Sequence, residues 1–142
     1  MIGVIVTGHG QFASGLTTSL ELIAGKQKEY IAIDFDGVIS QDDLLDKINK
    51  ATDELVDCDG IIIFTDLIGG TPFKMAATAT LEKKNNIVLS GTNLGMLIEC
   101  CMTKAFNNDV ELFASQILET GKSQVIKFEI PTITSADDED GI

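Results

Sequence analysis

Ile61-Ile62-Ile63-Phe64-Thr65-Asp66-Leu67-Ile68-Gly69-Gly70-Thr71-Pro72-Phe73 decides how the rest of the 142-residue chain is read. Four apolar residues in a row mark a strand buried on both faces, and the double glycine marks a tight turn. Thr-Pro then opens a helix with proline in the first turn, where the missing N–H would have had no intrahelical partner. A strand buried on both faces and leading into a helix is the unit of a parallel sheet. The helix start offers unpaired N–H groups and the positive end of a dipole, so it attracts anions. Asp66 stands just ahead of that start and would repel an anion unless its carboxylate faces some other group.

The same unit recurs on either side. Residues 2–7 read as a first apolar strand, after which Phe12, Leu16, Leu20 and Ile23 recur at helical spacing up to Gly25. Tyr30-Ile31-Ala32-Ile33 reads as a second strand, closed by Asp34-Phe35-Asp36-Gly37. Ser40 and Asp43 form a capping box with Asp in place of Glu. Behind it Leu44, Leu45, Ile48, Ala51, Leu55 and Val56 make one apolar helix face. Beyond the central strand, the pattern predicts a helix from about Pro72 to Lys83, a strand at Ile87–Leu89, and helices over Leu94–Phe106 and from Val110 to Leu118. Gln124–Ile130 alternates, with Ile126, Phe128 and Ile130 on one side and Lys127 and Glu129 on the other. It reads as a half-exposed strand at an edge or paired with another subunit. The tail Ser135–Ile142 is acidic and reads as disordered. Alternating strands and helices give a single doubly wound α/β domain with a mostly parallel sheet.

Composition narrows the function classes. A net charge of −12 and a pI near 4.2 exclude a nucleic-acid binder, which needs a basic face. All of the positive charge is lysine, with no arginine in the chain, so any phosphate chemistry must rest on backbone amides, hydroxyls and lysine. Cys58, Cys100 and Cys101 lack metal-ligand spacing and read as small hydrophobes of a reduced, cytoplasmic protein. No metal or cofactor is expected. No apolar run approaches the roughly 18–20 residues of a membrane helix. Met1–Val6 lacks a basic leader region and reads as structure, not as a signal peptide.

In doubly wound sheets, ligands bind beyond the carboxyl ends of the strands, where strand order reverses. With the order 2-1-3-4 usual in small folds of this kind, the first and third strands flank that point. Their loops carry Thr7-Gly8-His9-Gly10 and Asp66-Leu67-Ile68-Gly69-Gly70-Thr71, so the only histidine and a strand-end aspartate face one another. An aspartate bound to one ring nitrogen fixes the tautomer and leaves the other as a nucleophile. A phosphoryl group on that nitrogen would lie against the Gly69, Gly70, Thr71 and Phe73 amides and the Thr71 hydroxyl. Thr92 and Asn93 close the fourth strand near the same crevice, either with Asn93 as a helix cap or as part of the site. Asp34 and Asp36 read as a solvated turn, Ser14 and Thr17–Ser19 as ordinary helix residues, and Phe12 and Phe73 as core packing ahead of a docking surface. A histidine phosphatase is excluded, because its arginines and second histidine are missing. A ligand-binding module in which His9 is incidental predicts no covalent phosphate.

Thr7-Gly8-His9-Gly10, Asp66–Phe73 and Gly91-Thr92-Asn93-Leu94 resemble, in order and spacing over roughly residues 1–130, the IIA component (EIIA type-4 domain) of the mannose–fructose–sorbose family of the bacterial phosphotransferase system. The resemblance implies a 1–130 EIIA domain followed by the 131–142 tail. It implies that His9 takes a phosphoryl group on Nε2 from the phosphocarrier protein HPr and passes it to a IIB component during sugar import. It makes Asp66 the partner of His9 and Thr71 a phosphate contact. It further implies a homodimer that exchanges the last strand, and contact with the membrane only through the IIC and IID permease. Leu67-Ile68 stand where an aromatic residue is common, Lys74 where asparagine is, and Gly95 where proline is, changes that bear on partner choice. With no IIB domain in the sequence, the acceptor is expected to be a separate chain. The alternative within the resemblance is the phosphoryl-donor subunit of a dihydroxyacetone kinase.

Overall fold

A computed structural model describes residues 1–132. Strands β1 (Ile2–His9), β2 (Tyr30–Phe35), β3 (Gly60–Thr65) and β4 (Asn86–Leu89) form one sheet in the order β2-β1-β3-β4, with every neighbouring pair parallel. The helices are α1 (Phe12–Ala24), α2 (Gln41–Glu54), α3 (Thr71–Thr80), α4 (Leu94–Thr103) and α5 (Val110–Ser123). The expected doubly wound sheet and its strand order are therefore found.

Because successive strand side chains point to opposite faces, the apolar runs feed two cores. Val4, Val6, Ile62 and Phe64 pack with Leu20, Met96, Leu97, Phe113 and Ile117 of α1, α4 and α5. On the other face Ile5, Ile33, Ile61 and Ile63 pack with Leu44, Ile48, Ala51, Ala76 and Ala79 of α2 and α3. Phe64 is fully buried, and truncating such a side chain to Ala costs about 3–5 kcal/mol. The capping box forms as expected, with the Asp43 amide donating to Ser40 Oγ at 3.1 Å and the Ser40 amide to Asp43 Oδ2 at 3.3 Å. Burial pushes the Cys101 thiol up to about 12 and raises Cys100 as well, so both stay protonated within the core.

Several element ends differ from the sequence reading. β1 runs on through His9, where the sequence suggested an end at Thr7. α2 stops at Glu54, which leaves Val56 outside the helix and 73% exposed. Ile23, expected on the buried face of α1, is exposed. α3 ends at Thr80, and a turn with the Lys83 amide on the Thr80 carbonyl follows. The helix expected over Leu94–Phe106 is α4 followed by a 3-10 turn at Lys104–Phe106.

Within the single chain Gln124–Ile130 joins no strand, so the edge position in its own sheet is not found. Residues of both its faces are exposed: Val125, Ile126, Phe128 and Ile130 are 78–85% exposed. The Ser135–Ile142 tail lies outside the described residues. No helix among the described residues is long and apolar enough to cross a membrane.

Candidate functional site

β1 places His9 at the end of the sheet. The His9 amide, beyond the last β1–β3 pair at Thr7 and Thr65, donates to Asp66 Oδ2 at 2.8 Å. His9 Nδ1 meets the same oxygen at 2.8 Å. One carboxylate oxygen thus receives both the backbone and the ring of His9. Gly10 follows in the left-handed region, at φ +59°, and its amide donates to the Phe35 carbonyl at 2.7 Å, turning the chain away. The Phe35 ring stands edge-on to the imidazole, with centroids 6.0 Å apart.

The Asp66 side chain is only 15% exposed, whereas that of His9 is 47% exposed. Burial alone would push the Asp66 carboxyl up. The His9 amide, the His9 ring and the nearby Leu67 amide outweigh it and hold the carboxyl below the usual carboxylate range. An ionised carboxylate can only accept, so Nδ1 carries the proton of this bond, and in the neutral ring the lone pair is then on Nε2. The Leu67 amide acts on the carboxylate without reaching hydrogen-bond geometry, and the buried Asp66 Oδ1 has no partner.

The turn after Asp66 closes with the Gly70 amide on the Leu67 carbonyl at 3.0 Å, with Gly69 at φ +77°. α3 then starts with the Lys74 amide on the Gly70 carbonyl at 2.9 Å. Gly70 therefore has no free N–H for an anion. Among the described residues, the amides of Gly69, Thr71 and Phe73 have no acceptor, and neither does the Thr71 hydroxyl. Gly70 contributes an absence of side chain instead. A methyl group there would come within 2.8 Å of His9 Cε1 and 3.5 Å of Nε2. Its backbone, at φ −72°, suits any residue, so the constraint is space. Gly70→Ala should therefore fold, with a modest loss from the poorer cap, while phosphorylation of His9 slows by about 10²-fold. A rate equal to wild type in a stopped reaction followed by intact mass would show that the Gly70 side of the ring is not where a phosphoryl group arrives.

Of the sequence candidates, the structure brings His9, Asp66, Gly69, Gly70, Thr71 and Phe73 to one end of the sheet. Phe73 is half-buried in the first turn of α3, and Phe12 packs over Gly8 in the first core, where a methyl group on Gly8 would meet it at 2.5 Å. Asp36 is the solvated turn residue expected, its carboxyl lowered by the Val38 and Ile39 amides. Asp34 is engaged instead: Ser14 donates to it through its amide at 2.9 Å and through Oγ at 2.6 Å. That makes Ser14 more than an ordinary helix residue and ties α1 to the end of β2. Phe35 was not singled out by the sequence, although the pairing of β2 with β1 sets it opposite His9. Leu67 and Ile68, in the turn that follows Asp66, are 61% and 73% exposed. Among the described residues, no cluster of three His, Cys, Asp or Glu could hold a metal ion.

Residues 3–118 match the family model EIIA-man, described as PTS system fructose IIA component. The chain is 31% identical over 99 residues to the fructose-specific EIIA component of Bacillus subtilis, covering 70% of this chain and 68% of that one. It is 27% identical over 124 residues to the mannose-specific EIIAB component of Escherichia coli K12, covering 87% of this chain; the chain spans only 38% of that relative's length. A crystal structure of the phosphotransferase component EIIA from Streptococcus agalactiae superposes with a TM-score of 0.81 at 32% identity, covering 89% of this chain and 97% of that one.

Proposed function

We propose, since the chain belongs to the EIIA-man family of PTS IIA components, that it is a phosphohistidine carrier whose His9 accepts a phosphoryl group on Nε2 and hands it to a second protein. One observation carries the reading: Asp66 Oδ2 lies 2.8 Å from both the amide and Nδ1 of His9, while the Cε1–Nε2 edge of the ring lies beside Gly70 at the start of α3. The donor is HPr carrying phosphohistidine, and the acceptor is a IIB component of a sugar importer. The carrier works in the cytoplasm and reaches the membrane only through the IIC and IID permease.

In the transfer, the P–N bond of the donor breaks as the Nε2 lone pair forms a new one. The Nδ1 proton stays between ring and carboxylate, and Asp66 offsets the positive charge that grows on the imidazole. The free amides of Gly69, Thr71 and Phe73, the Thr71 hydroxyl and the α3 dipole receive the phosphate oxygens. Without arginine the hold is light, which suits a group that must leave again.

The assay adds phosphoenolpyruvate, enzyme I and HPr, then offers the labelled chain a mannose-family IIB component or a dihydroxyacetone kinase. Label should pass to IIB; passage to the kinase alone would assign the chain to the kinase instead. A homodimer with an exchanged C-terminal strand is part of the proposal, supported by the bare Gln124–Ile130 segment and by the open outer edges of β2 and β4. Gel filtration should give a dimer, and a monomer at all concentrations would remove the exchange.

A further inference from the structure

Thr92 and Asn93 stand side by side at the end of β4, and the structure gives them different work. Asn93 caps α4, its Oδ1 accepting from the Met96 amide at 3.1 Å, and its Nδ2 donates to the Gly121 carbonyl at 2.9 Å, tying α4 to α5. Thr92 turns towards β3. It is 8% exposed, its hydroxyl donates to the Thr65 carbonyl at 2.8 Å, and its amide reaches the same oxygen at 3.2 Å. Gly91, in the left-handed region at φ +70°, donates its amide to the Asp66 carbonyl at 2.8 Å. One turn thus holds the carbonyls of both peptides that flank the Asp66 side chain.

That hold matters because the sheet ladder stops short of Asp66. The last β1–β3 pair is Thr7 with Thr65, and the last β3–β4 pair is Phe64 with Leu89. Beyond them, the direction of the Asp66 carboxylate depends on the planes of its two peptides. A single oxygen, Oδ2, has to meet two donors of His9 at 2.8 Å each, which leaves little room for rotation. The Thr92 hydroxyl is the shorter of the two contacts to the Thr65 carbonyl, so losing it leaves a buried acceptor with the longer bond alone.

We propose that Thr92 is a positioning residue of the phosphoryl carrier: by fixing the Thr65–Asp66 peptide, its hydroxyl keeps Asp66 on Nδ1 of His9 and so keeps Nε2 free to react. It touches neither the imidazole nor the phosphate. The assignment rests on His9 being the phosphorylated residue, but its principal test needs no phosphate.

The test labels the ring nitrogens of the full chain with 15N and reads their shifts beside the melting temperature. Thr92→Ser keeps the donor and should show the wild-type pattern, protonated at Nδ1 and bare at Nε2. Thr92→Val and Thr92→Ala lose it, and their ring shifts should move together as the two tautomers mix. Phosphorylation by HPr should slow about tenfold in both, with affinity for HPr unchanged. Asn93→Asp keeps the cap oxygen and loses the donor to Gly121. It should lower the melting temperature and leave the ring shifts alone. Wild-type ring shifts in the Val or Ala variant, whichever folds, would overturn the proposal. So would an Asn93→Asp ring as disturbed as that of Thr92→Val, since looseness of the fold would then explain both. Should the wild type take no phosphate at all, the carrier reading falls, and the ring shifts still decide whether Thr92 positions Asp66.

Discussion

His9→Ala should end phosphoryl transfer altogether, because the variant has no other imidazole to carry the group. The loss should be limited only by the sensitivity of the assay. The fold should survive: the His9 side chain is 47% exposed, and its ring partners are the Asp66 carboxylate and the edge of Phe35. The His9 amide would still donate to Asp66, so the carboxylate keeps one of its two bonds. Circular dichroism matching the wild type, with no label taken from HPr, is the expected pair of results. Label accepted at another residue would mean that the crevice is not the phosphorylation site.

Asp66→Asn should have the second largest effect, slowing phosphorylation about 10²-fold with little change in structure. The amide oxygen can still accept from the His9 backbone and ring. What disappears is the negative charge that holds the Nδ1 proton and offsets the imidazolium formed in transfer. Unchanged kinetics would remove Asp66 from the mechanism. The same substitution has a signature in stability. The Asp66 carboxyl is lowered on folding, chiefly by its bonds to His9 acting against burial. Its contribution is therefore complete above its unfolded value of about 3.9 and is lost as pH falls through the lower folded value. Denaturant titrations should show the wild type losing stability over that acidic window, while Asp66→Asn lacks this component.

The parts of this architecture that depend on local pattern were readable before the structure. Unbroken apolar runs at 2–6 and 61–64 can only be strands covered on both faces, and the order 2-1-3-4 then sets His9 across from Asp66. Contacts made across the fold left weaker traces. Phe35 meets His9 through strand register, and Ser14 meets Asp34 across 20 residues; neither relation shows in the spacing of either residue alone. Gly70 reads as one more anion-binding amide until the Leu67 carbonyl is seen to occupy it. Asn93 is the cap its residue type suggests, whereas the bond of Thr92 to the Thr65 carbonyl depends on where the turn places it. The alternation of Gln124–Ile130 is a strand pattern, but alternation does not name the strand it pairs with, and the segment joins neither open edge of its own sheet, β2 or β4.

Where the phosphate sits decides whether His9 is the phosphoryl carrier. The wild-type chain, incubated with phosphoenolpyruvate, enzyme I and HPr, is measured by intact mass and then by 31P–15N correlation on ring-labelled protein. A single phosphate per chain, labile in acid, stable in alkali and bonded to Nε2 of His9, is the expected result. An unmodified mass with active donor proteins, or a phosphate on Nδ1 or on any other residue, would contradict it.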